Sequence, residues 1–150
     1  MISLVLASDH GGFSLKESLK KKLKSANIEF EDLGVHSEER VDYPDFAEKV
    51  ALAIRDQKGK LGLLICGTGL GMAMSANKIL GIRAAVVSDV YSARMAREHN
   101  DANILCLGGR VLGEELAWDL VQAFLNHSFS EGRHQNRLEK IRALEKKHLK

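Results

Sequence analysis

Leu61-Gly62-Leu63-Leu64-Ile65-Cys66-Gly67-Thr68-Gly69-Leu70-Gly71 is an apolar run that ends in a cysteine and turns at once through closely spaced glycines. The near-continuous apolar stretch reads as a parallel strand covered on both faces, and the glycines as a tight turn into a helix. A thiol there sits at the carboxyl edge of a sheet, beside free backbone N–H groups and a helix N-terminus that both favour negative charge. Cys66 is therefore a candidate catalytic group; the ordinary alternative is a small buried residue at a strand end.

Outward from this run the chain alternates strand-like and helical patterns. Strands are expected at Ile2–Ala7, Ile28–Leu33, Ile82–Ser88 and Ile104–Leu107, with 61–66 and 82–88 as the central, doubly covered pair. In Phe13–Ala26, Leu15, Leu19 and Leu23 fall four apart, with lysines assigned to the opposite face. In Pro44–Gln57 a proline occupies the first turn and Phe46, Val50 and Ile54 repeat every four residues. Leu70–Ile79, Val90–Glu98 and Glu114–Asn126 complete the series. A last helix, Gln135–Leu149, carries Leu138, Ile141, Leu144 and Leu149 on an otherwise charged surface, a stripe suited to a partner subunit.

Regular alternation predicts one domain over residues 1–150: an open, mostly parallel sheet with helices on both faces and right-handed crossovers. Ligands of such sheets bind beyond the carboxyl ends of the strands. Polar residues cluster there: Ser8-Asp9-His10-Gly11, Cys66–Gly71, Ser88-Asp89 and Gly108-Gly109-Arg110.

The 150 residues are 45% hydrophobic, enough for a sizeable core, with 22 Lys and Arg against 20 Asp and Glu. Segment 131–150 holds seven basic and three acidic residues, so it is +4 and the remainder −2. That argues for a local basic patch and against a nucleic-acid surface. Two cysteines without metal-ligand spacing exclude a disulfide framework. No apolar run spans a bilayer, so a cytoplasmic protein is expected.

Other groups have chemical and plain readings. Asp9-His10 beyond the first strand can reach a ligand, or Asp9 can cap the next helix. His99-Asn100 closes a helix, where the dipole favours an imidazolium that can act as an acid, or a simple cap. Arg133 and Arg137, four apart around His134, suit a phosphate or form a solvated face. Cys106 reads as core. The glycine turn is no dinucleotide fingerprint, because Met72 stands where the third glycine of GxGxxG would fall, although Asp89 ends the next strand as a ribose-binding acid would.

Taken together, Ser8-Asp9-His10-Gly11-Gly12-Phe13-x-Leu15-Lys16, Asp42-Tyr43-Pro44, Cys66–Gly71, Ala76-Asn77-Lys78, Gly81-Ile82-Arg83-Ala84, His99-Asn100-Asp101-Ala102-Asn103 and Gly132-Arg133-His134 resemble the ribose-5-phosphate isomerase B family, across almost the whole chain. The resemblance implies a Rossmann-like α/β/α sandwich of three layers, with a five-stranded parallel sheet and an extra C-terminal helix. It implies a cofactor-free, metal-free aldose–ketose isomerase interconverting ribose 5-phosphate and ribulose 5-phosphate in the non-oxidative pentose phosphate pathway. The partner expected is a second copy, in a homodimer with shared sites, with further pairing into tetramers left open.

By the same resemblance His99 is the ring-opening acid and Cys66 the base that moves a proton between C2 and C1. A related subgroup uses a glutamate past the glycine turn, but positions 72–75 read Met-Ala-Met-Ser. Thr68 would relay a proton, and the N–H groups of Gly67, Gly69, Leu70 and Gly71 would stabilise the enediolate. Asp9, His10 and Asn100 match sugar-binding positions, Tyr43 lines the pocket, and Arg110, Arg133 and Arg137 form the phosphate-binding set. Relatives acting on allose 6-phosphate or galactose 6-phosphate share the pattern, and a non-catalytic nucleotide- or phosphosugar-binding module is the remaining alternative.

Overall fold

A computed structural model describes residues 4–149, so Ile2 and Ser3 of the expected first strand lie outside the described residues. The elements run β1 (Leu4–Ser8), α1 (Phe13–Ser25), β2 (Phe30–Asp32), α2 (Tyr43–Asp56), β3 (Leu61–Cys66), α3 (Leu70–Ala76), β4 (Ala84–Val86), α4 (Val90–Glu98), β5 (Ile104–Gly108), α5 (Glu114–Leu125) and α6 (Arg133–His148). The five strands pair in parallel in the order β2-β1-β3-β5-β4.

Alternation along the strands sorts their side chains into two cores. Leu4, Leu6, Leu63, Ile65, Leu105 and Leu107 meet Leu15, Leu19 and Leu23 of α1 and Leu120 and Phe124 of α5 on one face. Val5, Ala7, Leu64, Cys66 and Cys106 meet Val50, Ala51 and Ile54 of α2 and Met72 and Ala76 of α3 on the other. Each fully buried leucine or isoleucine contributes about 1.5–3 kcal/mol relative to exposure, and β3, in the middle, is buried along its whole length. Helices on both faces make the three-layer α/β/α sandwich expected.

The assignment of a second central strand needs correction. β4 is three residues long at the sheet edge, paired only with β5, and Val86 is 37% exposed. The apolar run there is shared out: Ile82 packs in one core and Val87 in the other, on either side of the strand. α3 stops at Ala76 because Asn77 exchanges two hydrogen bonds with the backbone of Ala84, at 2.8 and 2.9 Å, which draws the chain towards β4. α6 starts at Arg133, two residues early. Of its apolar stripe Leu138 is buried, whereas Ile141 and Leu144 are exposed. One lysine of α1 is also not on the solvent face: Lys16 is completely buried.

Candidate active site

Cys66 ends β3 and is 4% exposed, facing the core shared with α3. Gly69 takes φ +85°, a left-handed conformation open to glycine, and this folds the turn back so that its N–H points at Cys66 Sγ, 3.1 Å away. The sulfur thus has a donor of the kind a thiolate requires. Thr68 Oγ1 accepts the Leu70 N–H at 3.2 Å. The Gly67, Thr68 and Gly71 N–H groups have no protein acceptor among the described residues.

The neighbouring strand ends close in on this turn. Gly109 donates to the Cys66 carbonyl at 2.8 Å and Arg110 to the Gly67 carbonyl at 3.0 Å. The Arg110 guanidinium lies over Gly67, with Nη1 3.2 Å from where a Cβ would stand. The Tyr43 ring lies over Gly71 so closely that a Cβ there would come within 2.4 Å of it. From β1, Asp9 Oδ1 accepts the Gly12 N–H at 3.1 Å, and His10 Nδ1 accepts the Val41 N–H at 3.3 Å. Asp9, His10, Tyr43, Cys66, Gly67, Thr68, Gly69, Leu70, Gly71 and Arg110 therefore belong to one cluster at the carboxyl edge.

His99, Asn100, Arg133 and Arg137 do not join it. α4 starts at the carboxyl edge and runs back down the sheet, so His99 emerges nine helical residues later, about 14 Å of rise. The segment that follows is tied to the amino edge: the Asn103 N–H donates to the Arg83 carbonyl before β4, and the Gly62 N–H to the Asn103 carbonyl. There the His99 ring stacks on His134 at the start of α6, centroids 4.2 Å apart and planes 20° apart. Arg137 Nη1 reaches His134 Nδ1 at 3.4 Å, and Arg133 opens the same helix. Burial, then the positive charges of His99, Arg133 and Arg137, hold the His134 pKa below the ordinary histidine value. His134 carried no assigned role in the sequence; its position between the two arginines is the only local signal of it.

Two other readings resolve. Cys106 is fully buried, and desolvation, then the nearby Cys66, push its thiol pKa up, which leaves it inert. Asp89 caps α4, accepting the Ser92 N–H at 2.7 Å on the edge strand's side, with β5 between its strand and β3, so it does not face the glycine turn as a dinucleotide-binding acid would. Among the described residues no cluster of three His, Cys, Asp or Glu side chains could hold a metal, and no helix is long and apolar enough to cross a membrane.

Comparison with known proteins adds three findings. The family described as Ribose/Galactose Isomerase matches residues 4–141. Ribose-5-phosphate isomerase B of Escherichia coli (strain K12) is 46% identical over 147 residues, covering 98% of this chain and 99% of that protein. Among solved structures, ribose-5-phosphate isomerase B of Clostridium thermocellum superposes with a TM-score of 0.95 at 51% identity, covering 97% of this chain and 99% of the other. The Mycoplasma genitalium enzyme with bound ribulose 5-phosphate gives 0.92 at 41% identity, covering 97% of both chains.

Proposed function

The chain belongs to the ribose/galactose isomerase family, and from that premise we propose that it interconverts D-ribose 5-phosphate and D-ribulose 5-phosphate on a site assembled from two copies of itself. It is an aldose–ketose isomerase. The reaction moves one proton between carbons and one between oxygens, with no net redox change and no external reductant. His99 protonates the furanose ring oxygen as its bond to C1 breaks, and the C1 hydroxyl releases its proton to water as it becomes the carbonyl. Cys66 thiolate takes the proton from C2, the electron pair passes to the C1 carbonyl oxygen as an enediolate, and the thiol returns the proton to C1. Thr68 passes a proton between O1 and O2. The N–H groups of Gly67, Thr68 and Gly71 are the donors left to meet the developing oxyanion. The Leu70 N–H is already held by Thr68 Oγ1 and is not among them.

The observation that carries the two-copy reading is the separation of Cys66 from His99 within one chain. One sugar phosphate must touch acid and base at once, and reacting groups must be held to within about 1 Å. Each end of the molecule holds half of what is needed: base, oxyanion donors, Asp9, His10, Tyr43 and Arg110 at one; His99, Asn100, Arg133 and Arg137 at the other. A two-fold pair would complete both sites at once. Apolar surface supports such a pairing. Leu70 and Met74, one turn apart on α3, are 53% and 68% exposed, and Tyr91 is 70% exposed. A groove of about 620 Å³ separates α6 from the edge of the sheet, lined by Ala84, Ala85, Ile141 and Leu144.

Complementation tests this directly. Cys66→Ala and His99→Asn should each be inactive. After unfolding and refolding as an equal mixture, half the dimers pair unlike chains and hold one intact site of two, restoring about a quarter of the native activity. No recovery would place both groups in one chain's site and overturn the reading. Recovery with allose 6-phosphate but not ribose 5-phosphate would keep the shared site and change the substrate.

A further inference from the structure

Lys16 is among the largest fully buried side chains of the described residues, and its ammonium is fully matched. Nζ donates to both carboxylate oxygens of Asp32, at 2.8 and 3.0 Å, and to the Val35 carbonyl at 2.6 Å. A fully buried ammonium stays charged at low cost only with its three donors satisfied. Asp32 also accepts from Lys20 Nζ at 2.8 Å and from the Gly34 N–H at 2.9 Å. Burial alone would raise the Asp32 pKa; the hydrogen bonds from Lys16, Lys20 and Gly34 outweigh it and hold the group ionised.

This ion cluster sits where the chain leaves β2 for the candidate site. The segment 33–42 has no helix or strand of its own. At its start Val35 and Gly34 exchange hydrogen bonds with Ser8, at 2.9 and 2.8 Å, and Lys16 holds the Val35 carbonyl. The exposed residues 36–40 follow. At its far end the Val41 N–H meets His10 Nδ1, and two residues on Tyr43 lies over Gly71. A backbone N–H aimed at Nδ1 requires a lone pair there, which is the tautomer that carries its proton on Nε2.

We infer that Lys16 is a positioning residue for the sugar-phosphate site: through Asp32 and the Val35 carbonyl it fixes segment 33–42, so that Val41 holds His10 with Nε2–H directed at the ligand. The inference rests on the proposed function for the identity of the ligand. Lys16 touches nothing that reacts; it acts at a distance, through the backbone it anchors.

Three variants test it, read by steady-state kinetics with ribose 5-phosphate and by the ¹⁵N shifts of the His10 ring. Lys16→Met should raise KM more than about fivefold with kcat within about twofold, the pattern of lost uniform binding, and the His10 nitrogens should move from one fixed tautomer towards averaged values. Val41→Pro removes the N–H donor and leaves the ion cluster intact; it should reproduce both effects. Lys20→Ala, which removes a partner of Asp32 that does not reach Val35, should change neither. If Lys16→Met does not fold, the neutral apolar pair Lys16→Met with Asp32→Leu takes its place; it leaves no unpaired buried charge and no donor to Val35, and it should raise KM as Lys16→Met would.

Reduced thermal stability with unchanged KM and unchanged His10 shifts would make the cluster purely structural and overturn the inference, as would an unaffected Val41→Pro. A native protein without isomerase activity, whose His10 shifts still respond to Lys16→Met, would instead overturn the substrate assignment and leave the linkage standing.

Discussion

The imidazole of His134 lies flat against that of His99, centroids 4.2 Å apart, with the guanidinium of Arg137 at its Nδ1. Burial of the His134 ring disfavours its charged form, and the second imidazole and two arginines beside it add to that. The folded chain therefore takes up a proton on His134 only below the pH at which the unfolded chain does. A histidine with a lowered pKa destabilises the fold on acidification, so stability should fall as pH drops through about 6.5, the unfolded value. Melting temperatures at pH 7.5 and 5.5 check this. The native protein should lose more on acidification than His134→Phe, which keeps a stacking ring and cannot titrate.

Cys66→Ala should reduce kcat by at least about a thousandfold, within the range expected when a general base is removed. Binding of ribose 5-phosphate, measured by calorimetry, should stay within a few-fold of native, because the arginines and His10 are untouched. A variant retaining kcat would remove the base from the proposed mechanism.

Arg110→Ala and Arg137→Ala should each raise KM by about tenfold or more, since a hydrogen bond to a charged group contributes about 1.5–3 kcal/mol. With inorganic phosphate as competitive inhibitor, its inhibition constant should rise in parallel. An unchanged constant for either variant would take that arginine out of the phosphate site.

Gly71→Ala should disable the site with the fold intact. The added methyl would stand 2.4 Å from the Tyr43 ring, forcing the ring away from the turn. Near-native far-ultraviolet circular dichroism with kcat/KM reduced about tenfold or more is the expected outcome.

Asp32 gives an acid limit of a different kind. Its pKa is held below the ordinary carboxylate value, so its contribution is present above about pH 4 and is lost as pH falls through the lowered value. Urea unfolding at pH 7 and pH 3 should show a larger drop for the native chain than for Asp32→Asn.

The central strand was readable from composition because β3 is buried on both faces, and an unbroken apolar run has no other use there. The edge strand was misread for the same reason: Ile82 and Val87 are apolar because they anchor the chain in opposite cores, and neither lies in β4. The carboxyl-edge cluster was legible since each of its residues ends a strand, lies in the turn just after one, or stands in the first turn of a helix. His134 and Lys16 were not. Their roles depend on α4 meeting α6 and on α1 meeting β2, contacts between segments distant in sequence that no local periodicity encodes. Spacing placed Lys16 among the surface lysines of α1; the partners at Asp32 and Val35 make its burial possible.

Placing Cys66 and His99 at opposite poles of one subunit has a consequence for how the proposed catalyst responds to dilution. On the proposed two-copy site, an isolated subunit holds two halves and no whole, so the number of working sites falls with the square of subunit concentration once pairs dissociate. The sugar phosphate would bridge the two chains, gripped by Arg110 of one and the Arg133–Arg137 helix of the other. Mass action then makes the substrate a tether between subunits, and its abundance a control on how much enzyme exists.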